Sequence, residues 1–164
     1  MKNTLIFGNS GAGKSTLAKK LKAESSLEHL DLDVLAWLDT NPPTRKPIVD
    51  SKKEIDLFLS KSDSWVIEGG YSDLLELVTE QASNIVFLNP PVDICIQHCK
   101  SRPWEPHKYA TKTEQDKNLS MLIEWVKQYE HRDDDFSLKS HRALYEKFSG
   151  HKQEINSGVD SLIS

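Results

Sequence analysis

"GNSGAGKST", residues 8–16, decides the fold. It stands between the apolar run "TLIFG" at 4–8 and a helical pattern at 14–24. Residues 8–15 satisfy G-x-x-x-x-G-K-[ST] in the strand-to-helix setting which that pattern needs. Glycines let the backbone curl so that its N–H groups point inward at phosphate oxygens. The helix that follows adds partial positive charge at its N-terminus. The phosphate-binding set is therefore Gly8, Asn9, Ser10, Gly11, Ala12, Gly13, Lys14, Ser15 and Thr16. Lys14 can reach the β- and γ-phosphates, the Ser15 hydroxyl can ligate Mg²⁺, and Thr16 can touch the α-phosphate. A nucleoside triphosphate with Mg²⁺ is implied. The loop is silent on the base and on the fate of the phosphate.

Outward from the loop, apolar runs alternate with helical patterns. Strands are expected at 4–8, 29–33, 64–68, 84–89 and, at an edge, 152–156. Helices are expected at 14–24, from a capping box at Ser51 and Glu54, from Asp73 to about Gln81, and from Pro91 to about Ser101. Two more carry Leu119, Leu122, Ile123 and Val126, then Leu138, His141, Tyr145 and Phe148, with Gly150 as a C-cap. "TNPPTRKP" (40–47) and "RPWEPHKY" (102–109) read as irregular. Such alternation predicts an α/β fold of three layers, a five-stranded parallel sheet flanked by helices. Ligands bind such sheets at the carboxyl ends of the strands.

With 164 residues the chain has room for one ordinary domain. Its net charge of −4 gives no pull toward nucleic acid or an anionic membrane. The apolar runs are too short to span a bilayer, and "MKNTLIFG" lacks the apolar core of a signal peptide. Two cysteines without an export signal point to a reducing cytoplasm.

The loop at residue 8, "DLD" at 31–33, "LDVLAW", "DSWVIEGGYSDLL" and "IVFLNPP" resemble the small P-loop kinases of the adenylate and shikimate kinase group. They are closest to the adenylate-kinase-related proteins labelled topology modulation proteins. The resemblance implies a single P-loop NTPase domain over 1–164, an acceptor-side segment at about 34–62 and a helical lid at about 102–136. It implies an ATP-dependent kinase acting with Mg²⁺ on a small acceptor. Asp31 would hold Mg²⁺ through water, and Asp33 would orient or deprotonate an acceptor hydroxyl. In one strand, residues i and i+2 share a face, so both carboxylates would point the same way. Glu68, Gly69 and Gly70 match the acidic turn of adenylate kinases, which implies that they bind the acceptor, the glycines letting a ligand approach the backbone closely. The arginine that follows that turn in the family is replaced by Ser72 and Asp73, which argues against a nucleoside monophosphate acceptor.

Moving a phosphoryl group spreads negative charge that cations must cover. Lys100, Arg102, His107 and Lys108 lie in the lid stretch, with Arg102 the leading candidate and Arg132 the second. Arg45 is a candidate anion contact, and Trp37 a candidate wall of the acceptor pocket. Cys95, His98 and Cys99 share a helix face, where buried packing is the commoner role. "RDDD" at 132–135 reads as a helix-terminus turn. The competing function is a nucleotide-hydrolysing regulator acting through a partner, with a DNA-associated role as one form of it; the acidic charge argues against direct nucleic-acid binding. No N-K-x-D guanine signal is present.

Overall fold

The computed structural model of the protein describes residues 2–158. Five parallel strands form one sheet in the order β2-β5-β1-β6-β7. They are β1 (Thr4–Gly8), β2 (Glu28–Asp31), β5 (Trp65–Glu68), β6 (Asn84–Leu88) and β7 (His151–Ile155). β1 lies at the centre, paired with β5 through Ile6↔Glu68 and with β6 through Gly8↔Leu88. A central strand is covered on both faces, so "TLIFG" reads as a continuous apolar run and is buried throughout.

Alternation along β1 divides the core in two. Leu5 and Phe7 face one layer with Leu32, Ile55, Leu74 and Leu144. Ile6 faces the other with Ala12, Ala18, Leu21, Cys95 and Val126. The first layer is built by α2 (Ile48–Ser60), α3 (Ser72–Glu76) and α6 (Leu138–Lys147); the second by α1 (Lys14–Ser25), α4 (Val92–Ser101) and α5 (Lys112–Lys127). The architecture is the expected three-layer α/β P-loop fold. Among the described residues no helix is long and apolar enough to cross a membrane.

Local expectations differ from the structure in five places, one of them α3, which ends at Glu76 and not near Gln81. The second strand ends at Asp31, and residues Leu32–Val34 form a 3-10 turn instead. The Asp31 carboxylate causes this by accepting the Asp33 N–H at 2.9 Å, so the two aspartates do not share a strand face. Helix α2 begins at Ile48, after Pro47. Ser51 is thus inside it, buried, with its hydroxyl donating to the Leu35 carbonyl rather than capping. The proline-rich segment holds a short antiparallel hairpin, β3 (Trp37–Leu38) with β4 (Thr44–Arg45). Helix α6 ends at Lys147, before Gly150.

Candidate active site

The loop between β1 and α1 has the backbone its glycines allow. Gly13 stands at the helix N-cap with φ 99°, and Gly11 has φ 81°. A Cβ on Gly11 would lie 2.3 Å from the Cys95 carbonyl oxygen and 2.9 Å from Cys99 Sγ. Helix α4 therefore backs the loop: Cys95 and Cys99 pack there, and His98 Nδ1 lies 2.7 Å from the Gly11 carbonyl oxygen. The buried Asn9 side chain ties the loop to α5 by donating to the Val126 carbonyl at 3.3 Å. Lys14 arches back over the loop, its ammonium donating to the carbonyls of Asn9 at 2.8 Å and Gly8 at 3.2 Å. Burial pushes this ammonium below the usual lysine range, with the Glu68 carboxylate opposing that shift. Thr16 is exposed.

Glu68, at the end of β5, is only 2% exposed and sits against the loop. The Ser15 hydroxyl donates to its Oε1 at 2.7 Å, and His29 Nε2 lies 3.3 Å from the same oxygen. Asp31 is its direct neighbour across the β2–β5 pairing. Burial, then the Glu68 and Asp33 carboxylates, push Asp31 up to about 6. The resemblance set Glu68 on the acceptor side and Asp31 near the metal. The structure instead puts Glu68 in hydrogen-bond contact with Ser15.

Asp33 is held from two directions. The Tyr71 hydroxyl donates to Oδ1, and Lys108 Nζ lies 2.6 Å from Oδ2. Burial pushes this carboxyl up, but Lys108, Tyr71 and Lys14 outweigh it and hold Asp33 below the usual range. Lys108 in turn is raised well above the usual lysine range by Asp33, Asp31 and Glu105, against the effect of burial. The Tyr71 hydroxyl also accepts from Trp37 Nε1 at 2.8 Å. Burial and the Asp33 charge raise its pKa, so it stays a donor. Arg45 lies 4.9 Å from the Tyr71 ring centre, 5.6 Å from Phe136 and 5.8 Å from Trp37. Its guanidinium grips both oxygens of Asp73 at 3.3 and 3.0 Å.

Of the lid candidates, Arg102 reaches the phosphate loop, with Nη2 3.4 Å from Ser10 Oγ, and lies 3.7 Å from Glu105. Glu105 is also 3.1 Å from Lys108, so it links both cations. Arg132 stacks on Trp125, 3.9 Å from the ring centre, and donates to the carbonyls of Trp125 at 2.8 Å and Phe136 at 3.3 Å. It holds the end of α5 to the following turn. Gly69 packs against Leu32, and the Gly70 carbonyl accepts from His141 Nε2 at 2.8 Å. Lys108, one of the lid-stretch cations, is brought onto Asp33 only by folding, and Tyr71 is a site residue that the sequence reading did not single out. Tyr71 carries one sequence signal, its place just beyond the carboxyl end of a strand.

The residues present fit a triphosphate and Mg²⁺. The loop leads into a helix N-terminus, with a half-buried lysine beside it. A hydroxyl and two neighbouring carboxylates form an oxygen donor set, and the raised Asp31 marks a site that a cation would relieve. Among the described residues no group of three or more His, Cys, Asp or Glu is arranged to hold a metal alone.

No protein-family model matches the chain. The chain is 29% identical over 150 residues to the uncharacterized protein YqaC of Bacillus subtilis (strain 168), covering 88% of this chain and 80% of that one. Among solved structures it superposes on a gluconokinase from Sinorhizobium meliloti 1021 with a TM-score of 0.59 and 13% identity, over 99% of this chain and 87% of that one. The fold is that of the small P-loop kinases. A shikimate kinase from Bacteroides thetaiotaomicron aligns at a TM-score of 0.45 and 18% identity, over 87% of this chain and 96% of the other.

Proposed function

We propose that the protein is an ATP-dependent phosphotransferase that moves the γ-phosphoryl group to a hydroxyl of a small acceptor. Residues 34–62 form the acceptor side and residues 102–136 the lid. The observation that carries this reading is Asp33, held ionised by Lys108 and Tyr71 within electrostatic reach of Lys14. A carboxylate in that state accepts the proton of an attacking hydroxyl. The acceptor oxygen forms the new P–O bond, the bond between the γ-phosphorus and its bridging oxygen breaks, and ADP leaves. Lys14 and Arg102 neutralise the charge that spreads over the moving group. Ser15 and Glu68 would hold Mg²⁺, directly and through water, and Mg²⁺ would neutralise the β- and γ-phosphate oxygens.

An ATP-consumption screen over nucleosides, nucleotides, sugars and hydroxy acids tests the proposal. One acceptor is expected to raise turnover sharply, and Asp33→Asn to lower that turnover by on the order of 10²-fold or more. Acceptor-independent turnover that ignores Asp33→Asn would favour a regulator. Unchanged ATP affinity in Lys14→Ala would remove the nucleotide reading altogether.

A further inference from the structure

Three cations that border the acceptor side, Arg45, Lys46 and Lys108, are already paired with carboxylates of the protein itself. Arg45 grips both oxygens of Asp73, and its Nε donates to the Ala36 carbonyl at 3.3 Å. Lys108 is shared between Asp33 at 2.6 Å and Glu105 at 3.1 Å. Lys46, beside Arg45 in the chain, pairs with Glu54 at 2.6 Å. Around them stand further carboxylates. Asp31 adjoins Asp33, and burial together with the Asp73 charge raises Asp135.

Resting on the phosphotransferase reading, we infer that the acceptor is an uncharged hydroxyl compound, of the chemistry shared by nucleosides and free sugars, and not a phosphate ester or a carboxylic acid. An anionic acceptor would need a cation with charge to spare. To recruit Arg45 it would have to break a pair whose side chains are only 26% and 18% exposed. Asp73 would then be left unpaired beside both Asp135 and the new anion, an arrangement that opposes binding. An uncharged hydroxyl needs only hydrogen-bond partners. Asp33 supplies an acceptor: a carboxylate oxygen has more than one lone pair, so a hydroxyl can donate to it while the Lys108 and Tyr71 contacts stay in place. Trp37 adds an apolar face. It is 41% exposed and packs edge-on to Tyr71, with ring centres 6.4 Å apart. Sugar C–H faces and nucleobases pack on such a surface.

The test is calorimetric binding, with a non-hydrolysable ATP analogue and Mg²⁺ present, of matched pairs: adenosine against AMP, and glucose against gluconate. ATP turnover is measured with the same compounds. The uncharged member of one pair is expected to bind about tenfold or more tightly than its anionic partner. Adenosine preferred over glucose assigns a nucleoside, and the reverse a sugar. Asp73→Asn releases Arg45 and is expected to narrow that gap. Should this variant fold poorly, wild-type protein still decides the matter. Affinity for an uncharged acceptor does not change between low and high salt, whereas an anion held by Arg45 weakens. A tighter anionic partner with Asp33-dependent turnover overturns this inference and leaves the phosphotransferase reading standing. No binding and no stimulated turnover by these compounds or by any other in the acceptor screen, with Lys14-dependent nucleotide binding intact, overturns both.

Discussion

His141 makes acid stability a direct measure of how the site is held. It has no solvent exposure and packs on α6 against Phe7, with ring centres 5.7 Å apart. The Gly70 carbonyl can only accept, so Nε2 carries the proton and donates to it at 2.8 Å. Nδ1, 2.7 Å from the Tyr129 hydroxyl, then accepts. The neutral ring thus satisfies both neighbours and braces the turn after Glu68. Burial, aided by the Lys14 and Arg132 charges, lowers His141 from its ordinary 6.5 to about 4. Above 6.5 the ring is neutral both folded and unfolded. Between 6.5 and 4 only the unfolded chain takes up the proton, so stability is lost as pH falls. At 1.36 kcal/mol per pH unit the full loss is about 3 kcal/mol, of which about 2 kcal/mol is gone at pH 5. Asp31 runs the other way. Its carboxyl is pushed up to about 6, so the folded state binds that proton first and gains stability as pH falls below about 6. The wild-type curve alone therefore mixes two opposed slopes, and a difference isolates one of them. Urea unfolding of wild type and His141→Gln, from pH 7.5 to 4.5, supplies it. Glutamine keeps a donor and an acceptor but does not titrate. The stability gap between the two proteins should shrink by about 2 kcal/mol from pH 7.5 to 5, or about 1 M urea in relative midpoint. A gap constant across that range would refute the argument, as would an NMR titration of His141 near 6.5.

Other expectations concern the loop and its neighbours. Gly11→Ala should abolish nucleotide binding and lower the melting temperature, because the new Cβ meets backbone on α4 at a φ of 81°; a normal isotherm counts against the loop geometry. Glu68→Gln should weaken nucleotide binding in Mg²⁺ and leave Mg²⁺-free binding nearly unchanged, since the Ser15 contact survives while a charge is lost; calorimetry with and without Mg²⁺ separates the two. Tyr71→Phe keeps the ring packing but leaves Asp33 and Trp37 Nε1 without their shared partner. It should cost about 1–3 kcal/mol in transition-state stabilisation, read as kcat/KM for the acceptor that the screen finds, with little change in ATP affinity.

The loop, the strand–helix alternation and the edge strand at the C-terminal side were all legible in the order of residues. Each is a local matter: a glycine at a positive φ, an apolar run, a helix period. Even the departure of Asp33 from the strand had a local signal, because an aspartate two residues earlier competes for its N–H. The surroundings of Asp33 were not legible in this way. Lys108 lies 75 positions from Asp33 and Tyr71 lies 38, and neither spacing has a period that a sequence can display. The Arg45–Asp73 pair likewise joins the hairpin to α3, so it cancels a charge that looks free in the chain. Sequence alone determined that a glycine-rich loop of the phosphate-binding pattern stands between the central strand and a helix N-terminus, because backbone conformation and helix polarity follow from neighbouring residues. Only the tertiary structure decided which charges around that loop are already paired, because ion pairing depends on distances that folding creates.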